Sequence, residues 1–118
     1  MTLPLADIHF ESVDDAVIAH IHGEVDMSNA EQLGAALGSQ VPTDARALVL
    51  DLTGVGYLDS AGIRMIYNLR NRLDDRGHQL TLVLGPEAAI AETLRIAGVT
   101  RSVAAVETVE AALDSLEA

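Results

Sequence analysis

The sequence predicts an α/β fold: a mixed sheet of about five strands, an N-terminal hairpin followed by parallel strands, and about four helices. Three observations predict it. Two short apolar stretches near the start flank a turn-forming "VDD", which reads as a hairpin. Apolar runs then alternate with segments whose apolar residues recur every three or four positions, the order of successive βα units. One run, "ALVLDL" at Ala47–Leu52, is apolar almost throughout, as in a central strand covered on both faces.

The elements follow in chain order. "DIHFES" (Asp7–Ser12) and "AVIAHIHG" (Ala16–Gly23) form the hairpin. In the second strand Val17, Ala19 and Ile21 fall on one face, expected to meet helices. Ile18, His20 and His22 fall on the other, expected to be an open sheet face. In "MSNAEQLGAALGSQ", Ser28 and Glu31 have capping-box spacing, and Ala30, Leu33 and Leu37 form a stripe that fades near Gly38 and Ser39. After the central strand, "TGVGYL" is expected to turn the chain. From Ser60 to about Asp75, Ile63, Ile66, Leu69 and Leu73 form the next stripe, with Gly77 as the residue after the helix end. "QLTLVLG" is a strand, and Pro86 suits the first position of a helix striped by Ile90, Leu94 and Ala97 and ended by Gly98. "SVAAV" (Ser102–Val106) is a short edge strand. A last helix, capped by Thr108, carries Val109, Ala112, Leu113 and Leu116.

Composition bounds the function. The 118 residues suit one domain spanning 1–118. With 49% hydrophobic residues, a core forms without staples. The chain has no Cys, which excludes disulfides and thiolate metal sites. The net charge of −11 disfavours nucleic acid and anionic membranes and favours basic partners. All seven basic residues are Arg. No secretory signal and no run of about 20 apolar residues is visible, so a cytoplasmic protein is expected.

Chemistry concentrates in "VGYLDSAGIRM", Val55–Met65. Ser60 there admits three readings: a hydrolase nucleophile, a helix cap, or a site of modification. A nucleophile elbow needs a glycine where Leu58 stands, and His78 is the one histidine after Ser60. Asp59 and Ser60 both suit a helix start. His20 and His22 share a strand face, without a third metal ligand or supporting motif. No Walker or Rossmann phosphate loop is present. Of the four Arg residues on the Ser60 helix, Arg70, Arg72 and Arg76 lie toward its C-terminus, where cations complement the dipole. Arg64 lies four residues after Ser60, on the same face, placed to meet a phosphate there or an acidic partner.

"HGEVDMSNAEQL", "LVLDLTGVGYLDSAGIRMI" and "LTLVLGPEAAIAETLRIAGV" together resemble a STAS domain, and more narrowly a bacterial anti-sigma factor antagonist. The resemblance covers nearly the whole chain in order. It implies helices mostly on one side of the sheet. It implies phosphorylation at Ser60, the serine of D-S-x-G, with matching acidic positions at Asp26 and Asp59. It implies binding to a GHKL-type anti-sigma kinase, which frees a sigma factor, and resetting by a PP2C-type phosphatase. The expected partner surface is Asp26, Met27, Ser28, Asn29, Asp59, Ser60, Gly62, Ile63 and Arg64. Met27 and Ile63 would supply apolar contact, and Arg64 would pair with an acidic residue. No catalytic residue, metal or cofactor is expected, and the chain is expected to be a monomer or weak dimer. The alternative within the resemblance is a non-phosphorylated STAS adaptor or scaffold subunit, for example of a lipid-transport complex.

Overall fold

The computed structural model describes residues 1–116. The strands are β1 (Thr2–Leu3), β2 (Ala6–Val13), β3 (Ala16–Val25), β4 (Ala47–Leu58), β5 (Gln79–Val83) and β6 (Ala104–Val106). The helices are α1 (Ala30–Ser39), α2 (Ser60–Asp75), α3 (Ala89–Ile96), α4 (Val99–Ser102) and α5 (Val109–Leu116). The sheet runs β1-β2-β3-β4-β5-β6, antiparallel through β3 and parallel thereafter. The predicted class stands, with one more short strand and one more short helix than expected.

Strand order equal to chain order has a consequence. Every crossover advances in the same direction, and right-handed crossovers then place α1, α2 and the α3–α4 segment on one face. Against them pack Ala19 and Ile21 of β3, Leu48, Leu50 and Leu52 of β4, and Leu80 and Leu82 of β5, all but one fully buried. α5 follows β6 and covers the other face. Its Ala112 packs with Ile18, Val49 and Val83, and its Leu116 with Ala16 and Ala47. The continuous apolar run at Ala47–Leu50 is thereby explained, since all four residues are fully buried.

This corrects the expected open face. Ile18 is buried beneath α5 rather than exposed. The cover stops short of the C-terminal half of β3, where His20 is half-buried and His22 exposed. Val17, Ala19 and Ile21 face the helices as expected.

"TGVGYL" does not turn. β4 continues, pairing Tyr57 with Glu24 and Leu58 with Val25, and at each of two register shifts it carries one residue more than β3. Gly54 is glycine because a Cβ there would collide with the His22 ring, a close approach and not a turn. Pro86 lies in a turn, and α3 begins three residues later. Gly77 and Gly98 follow their helices with φ of 82° and 83°, the left-handed conformation that glycine adopts without strain. Thr108 caps α5, accepting the Ala111 amide at 3.0 Å.

Candidate functional site

Parallel β3 and β4 end side by side, so the β3–α1 loop and the start of α2 emerge at one edge. The Asp59 amide donates to the Val25 carbonyl at 3.2 Å and ties the two together. Asp59 is extended (φ −105°, ψ −168°), and its Oδ1 accepts the amides of Ala61 (2.9 Å) and Gly62 (3.3 Å). Asp59 is therefore the cap of α2. Ser60 is the first helical residue, exposed, and its hydroxyl makes no hydrogen bond among the described residues.

The β3–α1 loop is held from within. Asp26 accepts the amide (2.8 Å) and hydroxyl (2.5 Å) of Ser28. The Ser28 hydroxyl, then its amide, hold the Asp26 carboxyl below its ordinary pKa. Ser28 is thus occupied, and the expected capping box does not form. The residue before α1 is Asn29, which is itself buried. Its Oδ1 accepts the Asp26 amide at 3.0 Å, and its Nδ2 donates to Pro4 O (2.6 Å) and Glu24 O (2.8 Å). Asn29 was expected on the partner surface. The structure makes it an internal clamp, because three backbone groups from two separate segments converge on its amide.

Gly62 is likewise beneath the surface. A Cβ there would lie 2.6 Å from Leu58 Cγ and 3.1 Å from Val25 Cγ1, so the first turn of α2 rests on the strand ends through glycine. Both residues position the site without presenting a side chain to it. The surface itself consists of Met27, 85% exposed, with Ser28, Ser60 and Arg64 exposed and Asp26, Asp59 and Ile63 half-buried. Tyr57, 49% exposed beside Glu24, joins this edge. Reading "TGVGYL" as a turn hid it.

A groove of about 440 Å³ runs between α1 and α2, starting at Met27 and lined by Gly34, Ala61, Arg64, Met65 and Arg72 among others. Within it Arg72 donates to Gly34 O (2.9 Å), and beyond it Arg76 donates to Gly38 O (2.9 Å) and Val41 O (3.0 Å). Arg76 thus meets carbonyls at and just beyond the C-terminal end of α1, and Arg72 one in its middle, neither on their own helix. Arg70 pairs with Asp74 at 3.7 Å.

The histidines stand apart from this edge. His20 bridges Asp51 (Nδ1, 2.6 Å) and Glu11 (Nε2, 2.9 Å) across three strands. Burial acts to lower its pKa, but hydrogen bonds and charges of Asp51 and Glu11 outweigh it, and the pKa is raised. For Asp51, burial acts upward and is outweighed by the Thr53 hydroxyl and amide and by His20, so its pKa is lowered. Among the described residues no group of three or more His, Cys, Asp or Glu could hold a metal ion. His78 is buried and donates through Nδ1 to Ala45 O at 2.7 Å. The 16 residues of α2, about 24 Å long, separate it from Ser60, so the two cannot form a nucleophile–base pair.

Comparison with known proteins agrees with this architecture. The STAS domain family model matches residues 7–112, and the chain belongs to that family. It is 38% identical over 72 residues to a Bordetella bronchiseptica protein named as anti-sigma factor antagonist BtrV, a match covering 61% of this chain and 62% of that one. The matched segment therefore spans about three-fifths of that relative. The crystal structure of an anti-sigma factor antagonist from Mycobacterium paratuberculosis is 24% identical, with a TM-score of 0.85 over all of both chains. Bacillus SpoIIAA, solved in its phosphorylated form, is 18% identical, with a TM-score of 0.67 over 93% of this chain and 99% of that one. These two share the fold. Among the described residues no helix is long and apolar enough to cross a membrane.

Proposed function

We propose that this chain, as a single STAS domain, is an anti-sigma factor antagonist switched by phosphorylation of Ser60. Unmodified, it binds a GHKL-type anti-sigma kinase in the cytoplasm and frees a sigma factor. The kinase transfers the γ-phosphoryl group of ATP to Ser60 Oγ; the hydroxyl proton is lost and ADP leaves. The antagonist then dissociates, and a PP2C-type phosphatase hydrolyses the phosphoserine to restore it.

The observation that carries this reading is Ser60 itself. It is exposed at the first position of a 16-residue helix, with a free hydroxyl, and the capping task has gone to Asp59. The name of the Bordetella relative and the phosphorylated state of the Bacillus neighbour support it. The physics suits a switch. A helix N-terminus tolerates an anion, so about −1.5 to −2 of added charge leaves the free protein folded. Asp26 and Asp59 flank the same edge, so that charge makes burial against a partner costly.

The test combines modification and binding. Incubation with the kinase and ATP adds one phosphoryl group to the wild type and none to Ser60→Ala, read by intact mass. Ser60→Ala keeps its melting temperature and binds the kinase, but ATP does not release it. Ser60→Asp melts at or above wild type and binds at least about tenfold more weakly, equivalent to about 1.4 kcal/mol. Wild-type affinity in Ser60→Asp, with Ser60 unmodified by the kinase, would leave a non-phosphorylated adaptor.

A further inference from the structure

The α1–α2 groove opens beside Met27 and continues from the Ser60 edge along both helices. Its walls are short side chains: Ala30, Gly34 and Ala61, over Met65. Gly34 lets α1 and α2 approach closely, since a Cβ there would stand 3.0 Å from Met65 Cγ. The result is a trough with an apolar floor and a polar rim, and an exposed, adaptable methionine at its mouth.

Its charges are unlike those of the whole. In a chain of net charge −11, two of the three charged side chains lining the groove are cations, Arg64 and Arg72. Arg72 is committed to Gly34 O. Arg64 is exposed and, among the described residues, makes no hydrogen bond or ion pair. The third, Glu31, lines the groove from α1 and repels a carboxylate on its own side. The groove therefore suits an apolar side chain with one carboxylate on the Arg64 side.

Arg64 is also four residues after Ser60, so their Cβ atoms lie about 5–6 Å apart on one helix face. A guanidinium fork takes a phosphate or a carboxylate in the same bidentate way. Resting on the reading of Ser60 above, we propose that Arg64 carries the state of Ser60 into the groove. With Ser60 unmodified, Arg64 receives the carboxylate of an acidic amphipathic segment of the anti-sigma partner, whose apolar side chain enters the trough. With Ser60 phosphorylated, Arg64 turns to the more highly charged phosphate, and the groove loses the cation that its occupant needs. Release is then a competition for one arginine as well as repulsion by Asp26 and Asp59.

The test uses full-length protein with phosphoserine installed at position 60 during translation, so no kinase is needed. Phosphorus NMR titrates the phosphate in the wild type, Arg64→Gln and Arg64→Lys. Pairing with Arg64 favours the dianion, so the midpoint is lowest in the wild type and highest in Arg64→Gln. Equal midpoints overturn the proposal. A helical peptide of leucine and glutamate then probes the groove through the amide shifts of Gly34, Ala61 and Met65. Phosphoserine should weaken that peptide roughly tenfold in the wild type and less than about twofold in Arg64→Gln. A leucine–lysine peptide binding as well, or shifts that grow with protein concentration without peptide, would put another occupant there and overturn the proposal. A kinase that leaves Ser60 unmodified removes the switch but not the measured coupling. Equal midpoints alongside kinase-driven release remove Arg64's role and leave the switch.

Discussion

Asn29→Ala separates a buried clamp from a surface contact. The amide makes three hydrogen bonds, to Pro4 O, Glu24 O and the Asp26 N–H. Each backbone group left unmet costs about 1–3 kcal/mol, less where water enters. The Asn29 side chain is buried but all three of its hydrogen bonds are only partly buried, so water offsets part of the loss and about 3 kcal/mol is expected. At about 2.1 cal/mol/K per residue, unfolding this chain carries an entropy near 0.25 kcal/mol/K, so the melting temperature should fall by about 12 °C. Calorimetry measures the shift. Hydrogen exchange should show faster opening at residues 3–6 and 24–29 than in the rest of the sheet. A surface asparagine at a partner interface behaves otherwise: its loss moves stability by no more than about 0.5 kcal/mol, or about 2 °C. A melt within about 2 °C of wild type would refute the clamp.

Three further outcomes are expected. Gly62→Ala gains about 1 kcal/mol of helix propensity, but it drives a Cβ to 2.6 Å from buried Leu58 Cγ and should lose about 2 kcal/mol to overpacking. Its melt falls by several degrees, and an unchanged melt means that Leu58 gives way. Asp59→Ala loses the cap and about 1 kcal/mol, or about 4 °C, while Asp59→Asn keeps most of it; equal melts for the two would place the cap elsewhere. The His20 bridge contributes in a pH window. His20, raised from 6.5, contributes fully below that value and fades as pH rises through its folded value. Asp51, lowered from 3.8, contributes above that value and fades as pH falls through its folded value. Urea melts of wild type against His20→Gln should therefore differ most between about pH 4 and 6.5, and a difference flat from pH 4 to 9 would refute the bridge.

Much was legible in local pattern. Two apolar stretches around a turn located β2 and β3, alternation gave the faces of β3, and stripes every three or four residues located α1, α2, α3 and α5. Asp59, Thr108, Gly77 and Gly98 marked helix ends, because caps are satisfied within a few residues of chain. The Met27 and Ser60 segments could be placed at one edge because parallel strands bring their following loops together. Where local chemistry was read too simply, it misled. Glycines in "TGVGYL" suggested a turn, whereas Gly54 serves the His22 ring and β4 continues. Ser28 had capping spacing, but the nearer Asp26 carboxylate took its hydroxyl.

The sequence by itself determined which residues of each element are apolar and where the helices stop. It could not determine what covers those residues. Ile18 looked outward by alternation and is buried because α5, some 90 residues later, folds across it. The exposed-looking His20 is bound to Asp51, 31 residues away, and Asn29 is closed by Pro4, 25 residues away. Arg72 and Arg76 hydrogen-bond carbonyls of α1, 38 residues away in each case. Periodicity records the solvent exposure of one segment against an unspecified neighbour. Burial, hydrogen-bond partners and the groove beside Ser60 depend on which distant segment becomes that neighbour, and only the packed sheet decides it.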